Sequence, residues 1–150
     1  MLTSLNIYNF SLIEHLEIEF LSGTSAISGK TGAGKSLILD ALAMTLGARA
    51  DTDALGLTKG HSEISASFDI TKINRAVNWL REEQFMSDND CVLRRVFNEG
   101  KRPRGYINGR ACTMQQLQKL SSFLVDIHSQ NEHQSLMRQD NYKFLLDDYA

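Results

Sequence analysis

Apolar side chains alternate with polar ones along much of this chain. Leu5 and Ile7, then Leu16, Ile18 and Phe20 within residues 15–20, occupy every second position, the period of half-buried strands. Leu21-Ser22-Gly23-Thr24 is expected to turn the chain back, and Ser25-Ala26-Ile27-Ser28 to form a short buried strand. The period then changes. Leu37, Ile38, Ala41, Leu42 and Leu46 recur at helical spacing, with Gly47 as the stop. Residues 47–60 show no period and are expected to be loop. Alternation returns in residues 61–70, where Ile64, Ala66, Phe68 and Ile70 share one face.

A helix is expected over 73–83 from Ile73, Val77, Trp79 and Leu80, and a strand over 91–97. Asn108-Gly109, inside Gly105–Arg110, is a strong hairpin signal, because both residues tolerate the positive φ of a type I′ turn. Thr113 can cap a helix through Leu117 and Leu120. Residues 123–127 (FLVDI) are expected to form another buried strand, and 142–149 a last helix. The sum is an α/β chain with α+β character, rich in antiparallel strand after its first helix.

Composition narrows the class without naming a function. The 150 residues, 42% hydrophobic and 23% charged, suit one globular domain. A net charge of −2 gives no global signal for nucleic acid. Cys91 and Cys112 have no metal or redox spacing and are expected to be reduced and structural. No apolar run approaches the roughly 18 residues of a membrane span, and the N-terminus lacks the basic and apolar regions of a signal peptide. A cytoplasmic location is expected.

The chemistry concentrates where strand gives way to helix. Residues 29–36, GKTGAGKS, fit the P-loop pattern G-x-x-x-x-G-K-[ST]. Gly29, Gly32 and Gly34 let the backbone N–H groups converge on phosphate oxygens, with Lys30, Thr31 and Ala33 completing the loop. Lys35 is placed to reach the β- and γ-phosphates, and Ser36 to ligate Mg²⁺. A dinucleotide fingerprint fails, since its third glycine would fall on Leu37.

A complete enzyme of this class also needs a carboxylate at the end of an apolar strand. Asp126 follows such a run, but Ile127 stands where a catalytic Glu belongs; Asp147 and Asp148 sit in a stretch with helical period. Leu21-Ser22-Gly23 imitates the start of an ABC signature but precedes the P-loop and reads as a hairpin turn. Asp53-Ala54-Leu55-Gly56 matches a GTPase D-x-x-G, yet the chain has no guanine-reading N-K-x-D. His128, Glu132 and His133 have no zinc-protease spacing.

Three blocks, residues 1–20, 27–51 and 125–136 (VDIHSQNEHQSL), together resemble the N-terminal part of the RecN family, in the SMC-like branch of the ABC ATPases. The resemblance covers almost all 150 residues, and the order and spacing of the blocks make it specific. It implies the N-terminal lobe of an ATPase head that binds ATP and Mg²⁺ and works in DNA double-strand break repair and recombination. It implies that Gln130 is the Q-loop glutamine contacting Mg²⁺, with Gln134 a second candidate. It also implies a cytoplasmic, nucleoid-associated protein that meets DNA and closes on a second head through ATP. The signature motif and Walker-B carboxylate would lie in a C-terminal lobe, beyond a coiled coil, outside residues 1–150. Hydrolysis by this chain alone is therefore not expected, and no catalytic residue is assigned within it. One departure is Lys30, where the family has Glu; phosphate binding should survive it.

Arg94, Arg95, Lys101, Arg102, Arg104 and Arg110 fall around the expected hairpin and Tyr106. They could contact DNA phosphates, or they could be solvated charges that keep an edge strand from pairing. Two other functions stay open on residues alone. A self-sufficient GTPase or kinase would use Asp126 or Asp53 on the metal and turn nucleotide over unaided. A non-catalytic interaction module would keep the P-loop for its shape and bind no nucleotide.

Overall fold

The computed structural model describes residues 1–29, 34–49, 60–87 and 90–125. Six strands form one sheet: β1 Leu2–Phe10, β2 Ile13–Glu19, β3 His61–Asp69, β4 Asp90–Asn98, β5 Arg104–Ile107 and β6 Arg110–Cys112. Their order is β2-β1-β3-β4-β5-β6, and every pairing is antiparallel. Three helices complete the described part: α1 Lys35–Thr45, α2 Asn74–Glu82 and α3 Met114–Leu124.

The register turns sequence alternation into two faces. One row across the sheet runs Ile18, Leu5, Ala66, Leu93 and Ile107; the next runs Leu16, Ile7, Ile64, Arg95 and Gly105. These rows join Ala41 and Met44 of α1, Ala76 and Leu80 of α2, and Leu117 and Leu120 of α3 in one core. The opposite face carries Asn6, Glu17, Ser65, Arg94 and Tyr106, directly paired across strands. There Arg94 donates to Glu63 at 3.2 Å and lies 4.4 Å from the centre of the Tyr106 ring.

Turn chemistry fixes the joints. Asn108 and Gly109 have φ of 48° and 79°, the hairpin geometry that their sequence required. The Asn108 side chain accepts from the Val92 N–H at 2.8 Å and donates to the Phe85 carbonyl at 2.9 Å, tying the turn to the end of α2. Thr113 and Gln116 form a reciprocal capping box at the start of α3. At the end of α1, Gly47 has φ 99°; its N–H donates to the Met44 carbonyl and the Ala48 N–H to Ala43, a Schellman closure.

Three local expectations are corrected. Residues 25–28 form no strand: they are exposed, Ile27 among them, and no described strand lies beside them to supply ladder partners. Leu21–Thr24 is accordingly a bend rather than a hairpin turn; the true β1–β2 turn is Ser11-Leu12. Residues 123–124 are helical, not strand, because the face that buries Leu117 and Leu120 continues to Leu124 at helical spacing. Val125 alone is extended, as the C-cap. Residues 126–127 of that expected strand, and the expected helix 142–149, lie outside the described residues.

Two substitutions weigh these joints. A Cβ on Gly47 would stand 2.7 Å from Gln118 Cγ, in a φ region that side chains avoid. Gly47→Ala is expected to cost about 2 kcal/mol, and Thr113→Ala about 1 kcal/mol. Urea unfolding should show both as lower midpoints with unchanged slope.

Candidate nucleotide-binding site

The P-loop helix begins without help from a side-chain cap. Gly34 holds the N-cap position with φ 85° and ψ 1°, and a Cβ there would meet nothing within 4 Å. Ile38 N–H closes the first turn on the Gly34 carbonyl at 3.2 Å. The first turn contains no acidic residue and no side chain caps it. Its N–H groups and the positive end of the helix dipole therefore suit an anion from outside the helix. Lys35 Nζ donates to the Gly29 carbonyl, so the two ends of the eight-residue motif meet. Ser36, the next residue, is exposed.

This end of α1 fits a phosphate chain with a divalent cation. It offers Gly29, Gly34, the Lys35 ammonium and the Ser36 hydroxyl, a donor set matched to phosphate oxygens and a hard metal ion. Lys30, Thr31, Gly32 and Ala33 lie outside the described residues. So do Gln130 and Gln134, the carboxylates Asp53, Asp126, Asp147 and Asp148, and His128, Glu132 and His133.

What holds this end in place lies at the other end of the helix and along its buried side. Ala41, Met44 and Thr45 are buried, and α1 packs on β1, β3 and β4. The Thr45 hydroxyl, fully buried, is satisfied by donating to the Ala41 carbonyl at 2.9 Å. Gln118 of α3 donates to the Gly47 carbonyl at 2.8 Å. Arg95 of β4 donates to the Met44 carbonyl at 2.9 Å and lies 3.5 Å from that of Ala48.

The six cations grouped by sequence do not share a surface. Arg95 is 3% exposed and faces α1, so it leaves the set of possible DNA contacts. Its inward orientation was legible only from strand parity: it is two residues from Leu93 and two from Phe97. Arg94 points to the opposite face, against Glu63 and Tyr106. Arg110 is exposed and donates to the Gln84 carbonyl. Lys101, Arg102 and Arg104 are exposed at the β4–β5 turn.

With this geometry in view, the chain can be compared with known proteins. A family model described as an AAA domain matches residues 4–148. The DNA repair protein RecN of Xylella fastidiosa (strain Temecula1) is 42% identical over 150 residues, covering 100% of this chain and 27% of that protein. This chain thus spans about a quarter of the relative's length. A solved structure described under ATP-driven dimerization and DNA stimulated activation of SMC ATPases superposes with a TM-score of 0.66 at 21% identity, covering 99% of each chain. The Smc head domain with an extended coiled coil, solved with the C-terminal domain of ScpA from Pyrococcus furiosus, gives 0.70 at 20% identity, covering 98% of this chain and 41% of that one. The fold is that of an SMC-type head in its N-terminal lobe.

The thiols test how well this region is sealed. Burial pushes Cys91 up to about 12 and Cys112 up to about 11, the Arg95 charge offsetting part of the latter. At pH 8 both should stay protonated and resist a thiol reagent until denaturant is added. Unfolded thiols ionise from about pH 8.5, so between there and pH 11 to 12 the unfolded state loses protons first. Their contribution to stability therefore falls as pH rises through that window. Fast labelling of the folded chain at pH 8 would contradict this.

Proposed function

The chain belongs to the AAA-domain family, and on that premise we propose that residues 1–150 are the N-terminal, ATP-binding lobe of a RecN-like head acting in DNA double-strand break repair and recombination. The observation that carries the reading is the uncapped, acid-free start of α1 at Gly34, with Lys35 reaching back to Gly29. Bound Mg²⁺ would neutralise phosphate charge; Ser36 and Gln130 would hold it, and Gly29 to Ser36 the phosphates. ATP would sit between this lobe and the signature motif of a second head, in an ATP-dependent dimer. The C-terminal lobe of the complete protein would bring the carboxylate that orients water. The chain alone would bind ATP without turnover.

DNA contact is assigned to the exposed cations Lys101, Arg102, Arg104 and Arg110 and to the half-buried Arg94. Within this set, Arg94 is engaged by Glu63 and Tyr106, and Arg110 by the Gln84 carbonyl. The charge most available to phosphates is therefore the Lys101–Arg104 turn. A cytoplasmic, nucleoid-associated location accords with this role; among the described residues no helix is long and apolar enough to cross a membrane.

Equilibrium binding and turnover of ATP and GTP by the purified chain, with Mg²⁺, test the reading. Binding of ATP that Lys35→Ala weakens at least about a hundredfold, with no turnover, is expected from losing the phosphate-facing cation. Turnover abolished by the same substitution would show that the chain is self-sufficient, and no binding at all would show that its P-loop only shapes the fold. For DNA, replacing Lys101, Arg102 and Arg104 with Gln should weaken binding and flatten its dependence on salt, the logarithmic slope falling by about one for every phosphate that is no longer neutralised.

A further inference from the structure

The buried polar side chains of the described residues are Thr45, Ser62, Arg95 and Ser121, and only Arg95 is charged. It stands in mid-strand on the inner face of β4, between Leu93 and Phe97, directly across from Ile64 on one side and Gly105 on the other. Apolar side chains fill the neighbouring inward positions. A guanidinium there carries a desolvation cost, and burial lowers its proton affinity. Its Nε has no partner among the described residues. Judged as a means of filling volume, this arginine is inferior to a methionine or leucine of similar size.

Its contacts indicate a different use. Nη1 donates to the Met44 carbonyl at 2.9 Å and lies 3.5 Å from that of Ala48. These carbonyls lie at the negative end of α1, whose last turn has no basic residue of its own. Arg95 supplies that missing cation from the sheet. Gly105 lies beside its stem: a Cβ there would make ordinary contact with Arg95 Cδ at 3.8 Å and would press on Cys112 Sγ at 3.3 Å. The Phe97 ring, 5.4 Å from the guanidinium carbon, flanks it. The helix so held is a rigid rod of 11 residues, and Gly34, Lys35 and Ser36 stand at its opposite end. Any axial slide or tilt of α1 moves them with it.

We infer that Arg95 is a positioning residue for the nucleotide site: by clamping the C-terminal carbonyls of α1 to β4, it sets where the P-loop end of that helix lies. The inference rests on the assignment of that end to nucleotide phosphates. It separates Arg95 from the other basic residues around the hairpin and gives it a role on the opposite side of the sheet from Arg94.

The test uses Arg95→Met and Arg95→Lys in the 150-residue chain, with two readouts. Amide exchange compares α1 with β3 in the absence of nucleotide, and Mg²⁺-dependent binding is followed with a fluorescent ATP analogue. Arg95→Met should remain folded, exchange roughly tenfold faster in α1 with β3 unchanged, and bind the analogue roughly tenfold more weakly. Arg95→Lys, with one ammonium in place of the fork, should recover part of both effects. Should the methionine variant not fold, the lysine variant decides: intermediate losses support the clamp, wild-type behaviour overturns it. Unchanged α1 exchange in folded Arg95→Met overturns the clamp whatever the affinity. Equal affinity in that variant, beside a wild type that binds, overturns the positioning role alone. A wild-type chain that does not bind the analogue overturns the site assignment, and the positioning role falls with it.

Discussion

The inner face of the sheet cannot remain in water, and α1 is the element that covers its centre. Leu5, Ile7, Ile64, Ala66 and Leu93 are each at most 1% exposed, and the helix over them is the one that begins at the P-loop. Burial of this apolar surface is the dominant favourable term in holding α1. That driving force sets which face of α1 turns inward, and it leaves the slide of the helix along the sheet to more directional contacts. Directional groups complete the placement: the Schellman closure at Gly47, the Gln118 amide on the Gly47 carbonyl, and the Arg95 guanidinium on Met44. All three act at the C-terminal end, which leaves the N-terminal end open for chemistry.

That division follows from the electrostatics of a helix. The N-terminal turn has N–H groups to offer and a partial positive charge; the C-terminal turn has carbonyls and a partial negative charge. Capping the first turn with Asp or Ser would have stabilised α1 and competed with an incoming anion. The chain instead places Gly34 there, and no acid follows it within the turn. In α3 it uses a full capping box, while α2, like α1, starts with neither a side-chain cap nor an acid. What sets the start of α1 apart from that of α2 is the Gly34 N-cap with its positive φ and the Lys35 side chain brought back to Gly29.

Much of the fold was legible because its signals are local and periodic. The strands around Ile64, Ala66 and Phe68 and around Leu93, the Asn108-Gly109 turn and the Thr113 cap each rest on a few residues whose backbone preference agrees with their burial pattern. Two failures share a cause. Short segments such as 25–28 and 123–124 satisfy strand and helix templates alike, and their state depends on partners that a one-dimensional pattern does not contain. At 123–124 the partner was the preceding helix; at 25–28 no described strand was present to pair. The β1–β2 turn was missed because Asn9 and Ser11, not glycines, take the positive φ, at 51° and 53°.

The candidate site stands in the sequence as a motif, while the packing behind it does not. Glycines at fixed spacing beside Lys35 and Ser36 are the pattern expected of a phosphate-binding loop. The basic residues around the hairpin do not by themselves single out Arg95, because its meaning depends on two facts beyond residue type. One is strand parity, which turns Arg94 outward to Glu63 and Arg95 inward to α1. The other is the crossing of β4 beneath the end of a helix about 50 residues earlier in the chain. Consecutive arginines look like one basic patch to composition, yet a period of two sends them to opposite faces with different electrostatic tasks. Charge counting over a strand therefore needs its register before it can be read as an interface: in β4 it leaves Arg94 half-buried against Glu63 and Arg95 beneath α1, while Lys101, Arg102, Arg104 and Arg110 beyond that strand are exposed.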